Sequence, residues 1–188
     1  MTAVFSAAAE LQAVCESNGW KYCIIGGVAL QRWGEPRMTA DADITLITGF
    51  GGEERFIHEL LGHFESRVGT PVEFALRNRV LLLRAKSGVG LDVALGALPF
   101  EESSVARSSL FTFPGEVLLR TCSAEDLVVM KAFASRAKDW WDVEQILVRQ
   151  TGHLDWSYIR RELKPLVEAK EEPEIFERLE RLRIDSER

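Results

Sequence analysis

The chain has 188 residues, 23 Lys and Arg against 29 Asp and Glu, and a formal net charge of −6. A 46% hydrophobic and 28% charged composition supports a buried core in one domain or a domain with a small helical annex, which excludes global disorder. No apolar run approaches the roughly 20 residues a bilayer span requires, and the acidic balance argues against indiscriminate nucleic-acid binding.

Apolar residues at helical spacing (Val4, Ala8, Leu11, Val14, Cys15) predict a first helix ending near Asn18-Gly19. Residues 21–25 are a short apolar run stopped by Gly26-Gly27 and read as a buried strand. A short helix over 28–33 is closed by Gly34. Residues 42–47 read as a second strand, 49–52 as a loop and 53–64 as a helix. Three strands are expected over 73–76, 80–83 and 91–95, with turns such as Lys86-Ser-Gly-Val-Gly90 between them. A short helix over 99–105 and a strand over 116–120 follow. From Ser123, a capping residue before Leu127-Val-Val-Met130, the pattern turns helical, with segments over 143–147, 156–167 and 174–182 that Pro165 and Pro173 limit. The expectation is an α/β core over 1–121 and a helical section over 122–188 packed on it.

Cys15, Cys23 and Cys122 are odd in number and lack CxxC spacing, which argues against a disulfide framework or structural zinc. The N-terminus carries Glu10 and no basic stretch ahead of its apolar residues, so it does not read as a signal peptide. A reducing cytoplasm is the expected setting. His58 and His63 are five apart, roughly 140° round a helix against about 40° for an i, i+4 pair, so they are no zinc-protease motif.

The chemistry concentrates elsewhere. Gly26-Gly27 sits where a strand turns into a helix, which is either a tight turn or an anion site at the helix start. Asp41 and Asp43 are two apart on a strand and point to one face. Paired like charges need a positive partner, and Mg²⁺ binds through one or two carboxylates plus substrate phosphates. Asp92 stands among apolar neighbours on a later strand, over 91–95. Three strand-borne acids could hold two metal ions that activate an attacking hydroxyl and neutralise a leaving phosphate. The bland alternatives are a chain turn at Asp41 and water-facing strand positions for Asp43 and Asp92. Lys131, Arg136 and Lys138 are cations of the kind such a site uses, or solvated helix charges. For Asp139 and Asp142 the bland alternative is surface pairing with nearby bases.

Ile25-Gly-Gly-Val-Ala29, Arg37-Met-Thr-Ala-Asp-Ala-Asp43 and Leu91-Asp-Val-Ala94 together resemble the nucleotidyltransferase fold of the DNA polymerase β superfamily. The wording around them resembles the AbiEii/AbiGii toxin branch, as do Glu125-Asp-Leu-Val-Val-Met-Lys131 and Arg136-Ala-Lys-Asp139 with Asp142. The match runs from about Tyr22 to Ile146. The resemblance implies a mixed β-sheet flanked by helices, and Mg²⁺ and an NTP as cofactor and substrate. It implies metal binding by Asp41 and Asp43, and by Asp92 as ligand or general base. Gly26 and Gly27 would position the triphosphate, Arg37 and Thr39 would bind nucleotide, Lys131 would contact phosphates, and Asp139 would orient the nucleotide or Lys131. The serine of the family's Gly-Ser form is absent, so backbone N–H donors would replace its hydroxyl.

The function implied is transfer of an NMP to an acceptor, with RNA (the tRNA end) as acceptor and an antitoxin as partner. Arg32, Arg37, Arg77, Arg79, Arg84 and Lys86 would be either a basic path for RNA or ordinary surface charges. Two alternatives stay open: nucleotidyl transfer to a small hydroxylated molecule, and a non-catalytic nucleotide- or partner-binding module.

Overall fold

A computed structural model describes residues 2–186. In chain order it comprises α1 (Thr2–Ser17), β1 (Tyr22–Ile25), α2 (Gly26–Trp33), β2 (Asp41–Ile47), α3 (Glu53–His63), β3 (Glu65–Ser66), α4 (Pro71–Asn78), β4 (Val80–Arg84) and β5 (Gly90–Gly96). Next come α5 (Pro99–Arg107), β6 (Ser109–Phe113), β7 (Val117–Thr121), α6 (Ala124–Ala134), α7 (Ala137–Arg149), α8 (Trp156–Lys170) and α9 (Glu174–Ser186). No helix among the described residues is long and apolar enough to cross a membrane. The chain divides into two compact units: residues up to Val28 with Met38–Cys122, and Ala29–Arg37 with the chain from Ser123 on.

The first unit is a mixed seven-stranded sheet in the order β3-β4-β5-β2-β1-β7-β6. β2 pairs antiparallel with β1 and parallel with β5, while β1 pairs parallel with β7. Alternation explains the layering. Ala42, Ile44 and Leu46 of β2 and Leu91, Val93 and Leu95 of β5 point to one face and are buried. There they join Phe5, Ala8, Leu11 and Cys15 of α1 and Phe56, Ile57 and Leu60 of α3 in a single core. Each large aliphatic side chain withdrawn from water contributes about 1.5–3 kcal/mol, so this face anchors the unit. Burial pushes the Cys15 thiol up to about 12, as befits a packing residue rather than a reactive one. On the opposite face Cys23 of β1 meets the fully buried Ser104 of α5, Sγ to Oγ 3.8 Å.

Residues 73–76 are not a strand but the middle of α4. Pro71 opens that helix with φ already suitable, and a run as short as Phe74-Ala-Leu76 cannot by itself separate strand from helix period. Two strands carry too little pattern to be seen in sequence: β3 is only two residues long, and the first four residues of β6 are exposed on both faces.

The second unit is helical. Ser123 caps α6 by accepting from the Asp126 N–H, and its hydroxyl donates to the Asp126 carboxylate at 2.7 Å. Asp126 is fully buried and also accepts from Tyr158 Oη at 2.5 Å. The C-terminal carbonyls of α2 are satisfied within this unit, Gly34 by Arg149 and Trp33 by Gln150. Trp140 is buried and donates to Ser135 Oγ, whereas Trp141 is exposed. Pro165 does not limit a helix: it lies inside α8 on the exposed side, where the carbonyl deprived of its N–H partner can face water.

Candidate active site

In the parallel β2–β5 pair, Asp43 stands opposite Asp92 and Asp41 opposite Gly90. Asp41 and Asp43 alternate with buried core residues of β2, and Asp92 lies between buried Leu91 and Val93. Partners in register share a face, so all three carboxylates stand on the side of the sheet away from the main core. β1 ends beside them, with Ile25 opposite Asp43.

Glycine is required where the chain leaves β1. Gly26 has φ +60, and a Cβ built there would collide with the Asp43 carboxylate. At Gly27 a Cβ would lie 2.5 Å from Thr39 Oγ1 and 2.8 Å from its Cβ. Thr39 in turn donates from Oγ1 to the Asp41 carbonyl at 3.0 Å. The Gly-Gly pair therefore sits directly against the acid-bearing strand and the residue leading into it. Gly90 has the same role across the site, since a Cβ there would run into Asp41 Oδ1 and come within 3.0 Å of Arg67 Nη1.

Arg67 is the residue that sequence reasoning missed. Its Nη2 bonds Asp92 Oδ1, and its Nη1 lies 4.0 Å from Asp41 Oδ1. Its backbone N–H donates to the Leu82 carbonyl at 3.0 Å, and Leu82 is the register partner of Asp92. A lone arginine gives no local signal. Only the pairing of β3 on β4 on β5 brings it to the acids. Burial pushes the Asp92 carboxyl above its ordinary range, Arg67 opposes this, and the nearby Asp41 charge adds to the rise.

Among the described residues no three His, Cys, Asp or Glu side chains form a ready-made cage for an ion. The donors nevertheless suit a hard divalent cation, being carboxylate oxygens aligned by register on adjacent strands. Mg²⁺ uses one or two such groups and completes its shell with substrate phosphates and water. The positive charge that the acids require comes here from Arg67.

The remaining expected residues belong to the helical unit. Lys131 is buried, donates to Asp142 Oδ2 at 2.6 Å and lies 3.8 Å from Asp139 Oδ1. Asp142 also accepts two 2.8 Å bonds from Nε and Nη2 of Arg37. Arg136 holds Asp139 at 2.5 and 3.2 Å. Burial alone would raise the Asp142 carboxyl, but the bonds from Arg37 and Lys131 outweigh it and hold the group below its ordinary value. Asp139 and Asp142 are thus buried members of an ion network rather than surface pairs. The sheet unit gathers Gly26, Gly27, Thr39, Asp41, Asp43 and Asp92, and the helical unit gathers Arg37, Lys131 and Asp139. Arg79, a candidate for a basic path, is committed to Glu53 at 2.5 Å and to the carbonyls of Leu95 and Gly49.

Over residues 21–187 the sequence matches the family model described as nucleotidyl transferase AbiEii toxin, Type IV TA system. No curated protein matches the chain. Among solved structures, it is similar to an antigenic nucleotidyltransferase-like protein from Paracoccidioides brasiliensis, with TM-score 0.54 and 16% identity over 94% of this chain and 92% of that one. It is also similar to ANT(2'')-Ia in complex with adenylyl-2''-tobramycin, with TM-score 0.55 and 14% identity over 90% of this chain and 99% of that one. At these identities the likeness establishes a nucleotidyltransferase fold.

Proposed function

The chain belongs to the nucleotidyl transferase AbiEii toxin family, and we propose that it moves an NMP from an NTP to RNA, the tRNA end being the favoured acceptor, in a Mg²⁺-dependent reaction. The observation that carries this reading is the register that sets Asp43 beside Asp92, with Asp41 on the same face and Gly26-Gly27 packed against them. An antitoxin is the expected protein partner of a Type IV system toxin, and the cytoplasm the expected compartment.

An acceptor hydroxyl oxygen forms a bond to the α-phosphorus while the bond from that phosphorus to the β-phosphate oxygen breaks and pyrophosphate departs. Asp92, whose carboxyl burial raises, is suited to take the hydroxyl proton. Asp41 and Asp43 would hold Mg²⁺ together with Asp92, and the ion when bound neutralises phosphate charge. Gly26 and Gly27 carry no side chain that would keep a triphosphate from the backbone. For Arg37, Thr39, Lys131 and Asp139 the family resemblance supports a part in nucleotide handling.

Incubation with each α-labelled NTP, Mg²⁺ and total cellular RNA tests the proposal. Label should enter RNA with the wild type, and a D41A/D43A double variant should lose the activity by about a thousandfold. The complex of ANT(2'')-Ia with adenylyl-2''-tobramycin favours one second reading, transfer to a small hydroxylated acceptor. Such activity would be insensitive to salt, whereas RNA engagement weakens steeply with it. Thermal stabilisation by NTP with no labelled product would instead support a binding module.

A further inference from the structure

We propose that Arg67 is the resident counter-ion of the acid cluster, occupying it when no divalent cation is bound and yielding it when the cation arrives with nucleotide. This rests on the metal-dependent reading above. Three carboxylates aligned on β2 and β5 repel one another unless a positive charge stands among them. Arg67 meets that need by bonding Asp92 and approaching Asp41 to 4.0 Å.

The surroundings are shaped for this arrangement. Gly90 leaves open the space between Asp41 and the guanidinium that any side chain would fill. The backbone at Arg67 is pinned by its bond to Leu82, and Ser66 Oγ donates to the Val68 carbonyl at 2.7 Å while accepting from the Val68 N–H at 3.0 Å. The root of the side chain is fixed, and its tip is not. Among the described residues Arg67 Nε is buried without a hydrogen-bond partner, and the ion pairs of the guanidinium are to Asp92 and Asp41, carboxylates that a cation would claim. Among the described residues, these two ion pairs are the polar contacts the guanidinium gives up when it leaves.

The consequence is a gate on metal binding. A free divalent cation must compete with a tethered guanidinium for Asp92, whereas a cation carried by a triphosphate brings phosphate oxygens that offer the displaced arginine a new partner. The site therefore takes free metal weakly and metal–nucleotide well.

The test uses the full chain and Mn²⁺ alone, with free Mn²⁺ followed by electron paramagnetic resonance and no nucleotide present. R67Q should bind Mn²⁺ about tenfold or more tighter than wild type, because a full charge next to the ligands has been removed. R67K, which keeps the charge, should stay within about threefold of wild type. R67M replaces R67Q should the latter fail to fold. A merely structural arginine would leave Mn²⁺ affinity unchanged or lower it, and either result in a folded R67Q overturns the proposal. D43N separates the two readings. If D43N loses Mn²⁺ binding while R67Q matches wild type, the metal site stands and the counter-ion role fails. If neither wild type nor R67Q binds Mn²⁺, both fail.

Discussion

Asp92 and Asp142 are both carboxylates bonded by an arginine, yet their environments move them in opposite directions. Burial prevails at Asp92, which has one guanidinium and a second acid nearby, and its carboxyl is pushed up. At Asp142 burial is outweighed by Arg37 through two bonds and Lys131 through a third, and the carboxyl is held down. The side chains of Asp41 and Asp92 are 45% and 32% exposed, against none for Asp142. In the helical cluster two buried carboxylates, Asp139 and Asp142, are met by three cations, Arg37, Lys131 and Arg136. In the sheet cluster Asp41 and Asp92 stay partly exposed to water, with Arg67 bonded to one and near the other.

Breaking each cluster should therefore give different losses. D142A leaves Lys131 buried with its principal partner gone, and it should cost about 3–5 kcal/mol of stability in chemical denaturation. D43A removes a half-buried carboxylate from the open cluster, so its stability should stay within about 1 kcal/mol of wild type while transfer activity collapses. Equal stability losses in the two would dissolve the contrast.

G26A is the next largest perturbation. Its left-handed backbone costs about 1–2 kcal/mol with a Cβ present, and that Cβ also displaces the Asp43 carboxylate. Urea melts should show that loss, with activity falling toward the level of D43A. A folded G26A with wild-type activity would mean the Gly-Gly turn is only a turn.

The smallest effect is in pH. Asp142 ionises more readily folded than unfolded, so its stabilisation is complete above its ordinary value of 3.8 and is lost as pH falls through the lower folded value. Stability curves of wild type and D142N should converge in that acid range and separate above it. Curves that stay parallel through acid would show that Asp142 is not held as described.

Much of the site was legible because its signals are local. Asp41 and Asp43 share a strand, and strand period alone puts them on one face. The Ser123 cap and the buried strand before Gly26 were equally plain. Residues 73–76 read as a strand because three apolar residues, Phe74 to Leu76, fit either period, and Pro71 is the better guide.

The sequence by itself determined which carboxylates and glycines this protein carries at strand and turn positions, since side-chain period and backbone freedom are properties of neighbours in the chain. Only the tertiary structure decided how their charges are met. Arg37 reaches Asp142 across 105 residues and Arg67 reaches Asp92 across 25. Whether a carboxylate is raised or lowered depends on burial and on partners brought by strand register and helix packing, which no local spacing encodes.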